Sequence, residues 1–71
     1  MNNDIRIGNN IKQARWNRGI SQRLLGVKLN DVTPQQISKF ERGENRVSAS
    51  QLFQIAKILK TDVINLYYGC K

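Results

Sequence analysis

The sequence predicts an all-α domain built from five short helices. Three observations carry this expectation. Apolar residues recur three and four apart, no stretch alternates as a half-buried strand does, and the periodic segments are bounded by residues that cap or break helices. The 71 residues fit one domain, 1–71, with its core over about 6–67. A chain this short buries only about 60% of the surface its unfolded form exposes. A lone core is therefore marginal, and pairing with a second copy is a common way to add stability.

The opening MNNDIR is polar and reads as a frayed start, with the helical pattern setting in at about Asp4. Ile7, Ile11 and Ala14 then recur at i, i+4, i+7, while Lys12, Gln13, Arg15 and Arg18 mostly face elsewhere. Gly19 ends this first helix as a left-handed cap residue would. Ser21 caps a second helix running to about Leu29, with Leu24, Leu25 and Leu29 on its apolar side. Asn30 and Asp31 break it, because both side chains compete for backbone hydrogen bonds and tolerate left-handed geometry. The third helix, 33–42, has Thr33 as N-cap, Pro34 in its first position and Gln36 three after the Thr. Gly43 closes it. After the loop ENRV, Ser48 caps a fourth helix with the apolar stripe Leu52, Ile55, Ala56, Leu59. Thr61 and Asp62 restart the chain into a short fifth helix carrying Val63, Leu66 and Tyr67.

Lys and Arg number 12 and Asp and Glu number 5, a net charge of +7. That excess fits a polyanionic partner, nucleic acid first and an acidic membrane surface second, with a purely solvating charge as the plain alternative. The chain has no histidine. This removes the commonest metal ligand and the usual general base, and with them a zinc site and a His-based triad. A phosphate-cradling glycine loop and clustered carboxylates are also missing, so neither an enzyme nor a cofactor is expected. The single Cys70 cannot close an internal disulfide, which fits a reducing cytoplasm. No apolar run approaches the ~18 residues of a membrane span, and no secretory signal is evident. The expectation is a soluble cytoplasmic protein with no membrane partner.

The third helix is short and almost wholly polar outside. Ile37 and Phe40 anchor it inward, and Gln35 and Lys39, four apart, share the opposite face. With the helix before it, it makes two short helices joined by a tight turn, the helix-turn-helix arrangement, in which the second helix enters the DNA major groove. Gly26 sits mid-helix, where it costs ~1 kcal/mol relative to Ala. Its missing side chain suits close packing of the following helix.

SQRLLGVKL, followed by VTPQQISKFERGENRVSASQLFQIAKIL, resembles the Cro/phage-repressor type of helix-turn-helix domain, the xenobiotic-response-element family of bacterial regulators. The likeness covers roughly 6–67. Its most specific marks are Ser21-Gln22, the small residue at Gly26, the run Ile37…Phe40-Glu41-Arg42-Gly43, and the helix with Leu52, Ala56 and Leu59. The resemblance implies a five-helix, lambda-repressor-like domain that forms homodimers and binds an operator as a transcriptional regulator. Two departures stand out. The turn is one residue longer at Asn30-Asp31, and Pro34 stands where the family often has a polar reader.

Gln35 is the first candidate base reader, since a Gln amide matches adenine N6 and N7 in the major groove. Its plain alternative is a solvated surface Gln. Gln36 either reaches a base or phosphate or turns back to complete a capping box with Thr33. Lys39 suits guanine O6/N7 or a phosphate. Thr33 is at least a cap, and its methyl, like Pro34, suits contact with a thymine methyl. Ser38 is a weaker candidate. For phosphate, Gln22 lies at a helix N-terminus, where free amides and the dipole favour an anion, and the resembled family commonly uses that position. Arg42, Asn45, Arg46 and Ser48 form a second polar cluster after the reading helix, with Glu44 opposing it; solvated loop charges are the alternative. Lys12, Arg18, Arg23 and Lys28 read as general charge or secondary phosphate contacts. The resemblance further implies that Arg15 and Glu41 form a structural ion pair inside the domain.

Val63, Ile64, Leu66, Tyr67 and Tyr68 are more apolar than the fifth helix can bury alone. They read as a dimer interface, or else as a cap on the core. Trp16 covers either core or dimer seam. The functional expectation is a sequence-specific double-stranded-DNA-binding regulator, most simply a homodimeric repressor on a palindromic operator. The competing expectation is a protein-interaction module that docks a toxin or an anti-repressor, with weak or no DNA binding.

Overall fold

The computed structural model describes residues 3–71; the helix expected from about Asp4 already begins at Asn3, and of the frayed start expected in MNNDIR only Met1 and Asn2 lie outside the described residues. Five helices follow one another: α1 Asn3–Asn17, α2 Gln22–Lys28, α3 Pro34–Glu41, α4 Ala49–Ile58 and α5 Val63–Leu66. No strand occurs among the described residues.

The helix ends are set by local chemistry. Ser21 Oγ accepts from the Leu24 amide at 3.0 Å, and Thr33 Oγ1 accepts from the Gln36 amide at 3.2 Å. Ser48 makes a full capping box with Gln51. The α1 C-terminus closes through Gly19, whose neighbour Ile20 donates its amide to the Arg15 carbonyl at 3.1 Å. Asn30 and Asp31 both adopt left-handed backbone, at φ 64° and 65°. This lets the Val32 amide return to the Gly26 carbonyl at 2.9 Å and turns the chain into α3.

The α4 C-terminus uses the same left-handed closure with an unsuited residue. Lys60 has φ 54°, and the Thr61 amide reaches the Ala56 carbonyl at 2.9 Å. A left-handed L-residue costs roughly 1–2 kcal/mol, which glycine escapes at the expense of some unfolded-state entropy. Lys60→Gly is therefore expected to raise stability by roughly 0.5–1 kcal/mol, read as a higher midpoint in urea.

Ile11, Leu25, Leu29, Ile37, Phe40, Leu52, Ile55, Ala56, Leu59 and Leu66 form one core, with Ile7, Ala14, Val32, Val47 and Val63 packed around it. The expected α4 stripe is buried as a unit. Leu24 is not: only Leu25 and Leu29 of the expected apolar side of α2 reach the core, and Leu24 and Val27 face outward. A seven-residue helix has one inward line, and Leu25 with Gly26 fills it.

Arg18 also departs from its expected role. It donates through Nε to the Leu59 carbonyl at 3.0 Å and through Nη2 to the Lys60 carbonyl at 3.3 Å. It satisfies the free carbonyls at the α4 C-terminus, where a cation is favoured. Asn10 does the same for the end of the chain, donating to the Leu66 and Tyr68 carbonyls at 2.9 Å each.

Candidate nucleic-acid interface

The third helix is carried on the other helices at both ends. It packs against α1 and α2. At its start, a Cβ on Gly26 would fall on the Val32 carbonyl oxygen, with Ile37 Cγ1 3.7 Å away. At its end, a Cβ on Gly8 would fall on the carbonyl oxygens of Phe40 and Glu41. Two side-chain-free positions on neighbouring helices thus let the backbone of α3 and its entry come close. With Ile37 and Phe40 buried, the helix has one defined outer face.

On that face Pro34, Gln35, Gln36 and Lys39 are exposed, and Ser38 is half-buried. Thr33 is occupied as the cap: its hydroxyl accepts from the Gln36 backbone amide, but the Gln36 side chain does not accept from the Thr33 backbone amide in return. The capping box is therefore only half formed. Among the described residues, the side-chain ends of Gln35, Gln36 and Lys39 make no hydrogen bond within the chain. They are donors and acceptors left to solvent or to a ligand.

Behind the face lies a buried ionic knot. Arg15 donates to Glu41 through Nε to Oε2 at 2.7 Å and through Nη2 to Oε1 at 3.1 Å. Arg15 Nη1 also donates to the Ile20 carbonyl at 3.0 Å. Glu41 Oε1 takes one further hydrogen bond, from Gln22 Nε2 at 3.1 Å. This knot joins the end of α1, the start of α2 and the end of α3. Every buried side-chain polar atom among the described residues has a partner, as a buried ion pair requires. The Gln22 bond had no signal in the sequence, since it joins residues 19 apart in the chain. It leaves Gln22 Nε2 one N–H for an outside acceptor.

The expected phosphate cluster is only partly free. Arg42 donates through Nε to Glu44 at 2.6 Å and through Nη1 to Ser38 Oγ at 2.9 Å. Arg46 donates to Asp4 on α1 at 3.4 Å, with most of its side chain exposed. Asn45 is half-buried, its backbone N–H directed to the Lys39 carbonyl at 3.4 Å. The Ser48 hydroxyl is engaged with Gln51. Arg42 and Ser38 are brought together at the end of α3, whereas Arg46 is drawn toward the start of α1.

The apolar C-terminal group divides. Leu66 is 1% exposed and belongs to the core, so it is not available to a partner. Val63 is half-buried against the same core. Ile64 and Tyr68 are 71% and 76% exposed, and Tyr67 is partly so. In this one-turn helix Leu66 turns fully inward with Val63 beside it, leaving Ile64, Tyr67 and Tyr68 outside. Trp16 also lies outside the core, with Lys12 Nζ 4.9 Å from the ring centroid. Among the described residues, no cluster of His, Cys, Asp or Glu could hold a metal ion, and no helix is long and apolar enough to cross a membrane.

Comparison with known proteins places this geometry. A family model described as helix-turn-helix matches residues 11–64. An HTH-type transcriptional regulator of Sinorhizobium medicae (strain WSM419) is 47% identical over 60 residues, which is 84% of this chain and 42% of that relative. The chain thus spans less than half the length of that relative. Among solved structures, the clp gene regulator ClgR from Corynebacterium glutamicum superposes with a TM-score of 0.84 at 25% identity, over 89% of this chain and 66% of that one. Hydroxypropylphosphonic acid epoxidase from S. wedmorenis gives a TM-score of 0.83 at 24% identity, over 92% of this chain but only 34% of that one. The same five-helix fold is therefore also built into a larger enzyme, and the fold alone does not name an activity.

Proposed function

The chain belongs to the helix-turn-helix family, and from that premise we propose that it is a sequence-specific regulator of transcription that binds double-stranded DNA. The observation that carries this is the α3 outer face. It offers Gln35, Gln36 and Lys39 without internal partners, on a helix pinned at both ends, in a chain of net charge +7. Fixed placement matters, because a side chain reads a base edge only when its helix cannot roll in the groove. Gln35 and Gln36 suit adenine, Lys39 suits guanine or a phosphate, and Thr33 and Pro34 present apolar groups to thymine methyls. Gln22 supplies its remaining N–H to the backbone at the start of α2. Arg42, Arg46, Asn45 and Ser48 follow α3 in the chain and supply the remaining backbone contacts.

The working form is a homodimer. Ile64, Tyr67 and Tyr68 supply the exposed apolar surface for a two-fold contact. Such a pair sets two reading helices about 34 Å apart and matches a palindromic operator with half-sites one turn apart. Occupying such an operator most simply represses it, and the place of action is the cytoplasm. No catalytic role is assigned to this chain.

A salt titration tests this reading against a protein-docking module. Neutralising Z phosphates gives a log–log slope of about −0.9Z. A steep slope on duplex DNA is expected; salt-insensitive association with a protein and no duplex affinity would favour the docking module. Gln35→Ala is expected to lose about 1–3 kcal/mol of discrimination at one base position while most random-duplex affinity remains. Unchanged selectivity in competition binding would remove Gln35 from the reading set.

A further inference from the structure

The turn that ends α3 carries a carboxylate where the helix favours a cation. Gly43, at φ 74°, lets the Glu44 amide return to the Lys39 carbonyl at 2.9 Å. That bond holds Glu44 beside the last turn of α3, where the helix dipole disfavours negative charge. Its carboxylate is placed on Arg42 Nε at 2.6 Å, while Ser38 Oγ takes Arg42 Nη1 at 2.9 Å. A guanidinium grips a phosphate with two donors through one of two edges, Nε with Nη2 or Nη1 with Nη2. Here each edge already has one donor committed.

We propose that Glu44 is an internal competitor with DNA phosphate for Arg42, so that this carboxylate limits how strongly the chain holds the backbone of any duplex. This rests on the DNA-binding reading above and adds a control on it. A phosphate that takes Arg42 must displace Glu44 or sit next to its charge. The exchange is feasible because the pair is open to water, with the two side chains 56% and 53% exposed. Exposed pairs of this kind contribute little to folding, so removing the carboxylate leaves the fold in place. The effect is on phosphate and therefore independent of base sequence. Glu44 weakens the hold on every duplex and leaves the relative weight of base contacts higher.

The test uses the full chain and a labelled random-sequence duplex, with binding followed by fluorescence anisotropy across a salt series. Four variants are compared with the unaltered chain: Glu44→Gln, Arg42→Ala, the two combined, and Asp62→Asn. Asp62 is an exposed acid at the start of α5, and its change alters net charge by the same amount. Glu44→Gln is expected to bind about two- to fivefold tighter with a log–log slope steeper by about one. In the Arg42→Ala background the gain disappears, and Asp62→Asn keeps the original slope. Equal tightening by Glu44→Gln and Asp62→Asn, or a gain that survives without Arg42, overturns this proposal alone. Absence of duplex affinity in every protein overturns the DNA-binding reading and this proposal with it.

Discussion

Glu41→Ala is expected to lower the unfolding free energy by about 3–5 kcal/mol. The side chain accepts three hydrogen bonds, two from Arg15 and one from Gln22. Removing it leaves the Arg15 guanidinium inside the protein with only the Ile20 carbonyl as partner. The loss is large because an uncompensated buried charge remains, not because the intact pair adds much net stability. In a domain of this size each 1 kcal/mol moves the melting temperature by roughly 4–8 °C. Glu41→Ala should therefore melt well over 10 °C lower or fail to fold. Glu41→Gln keeps an acceptor oxygen and is expected to lose less. A thermal scan in which Glu41→Ala stays within a few degrees of the unaltered chain would show that the knot does not hold the three helices together.

The second large effect is at Gly26. A leucine there must displace the Val32 carbonyl, which a Cβ alone would already meet. The expected loss is about 1–3 kcal/mol or more, through overpacking at the turn between α2 and α3. Alanine gives the sharper sign. In an ordinary helix interior, Gly→Ala adds about 1 kcal/mol of stability. At this position Gly26→Ala is expected to destabilise, because the added methyl strikes backbone rather than open space. Denaturant midpoints for both variants check this, and a stabilised Gly26→Ala would contradict the close approach. The same displacement moves the entry to α3, so duplex affinity should fall along with stability in Gly26→Leu.

Much of the fold was legible because its signals are local. Thr33 and Ser48 cap the helices they precede, and the α4 stripe of Leu52, Ile55, Ala56 and Leu59 is wholly buried. Asn30 and Asp31 break α2 through the left-handed backbone their short polar side chains tolerate. Lys60 takes the same backbone without any sequence mark, because its conformation follows from closing α4 and not from the side chain. Helices of one or two turns hide which way they face. In α2 and the turn after it, Leu24, Leu25, Val27 and Leu29 surround the axis, and only the packing against α3 and α4 selects Leu25 and Leu29. Leu66 carries the same apolar signal as its neighbours for the same reason, although it alone turns fully inward.

At the candidate site, spacing placed Gln35 and Lys39 on one face of α3 because a single helix fixes that relation. Contacts between distant segments were not legible. Arg18 to the end of α4 and Gln22 to Glu41 are pairings that only the tertiary fold creates. The opposition of Glu44 to the basic cluster was visible from adjacency, but its placement on Arg42 depends on the Gly43 turn.

The most direct measurement is a selection of bound duplexes from a random pool at low ionic strength, using the purified chain. The expected result is an enriched inverted repeat, with adenine- and guanine-containing half-sites centred one helical turn apart. Recovery of duplexes with no sequence preference would contradict base reading by α3.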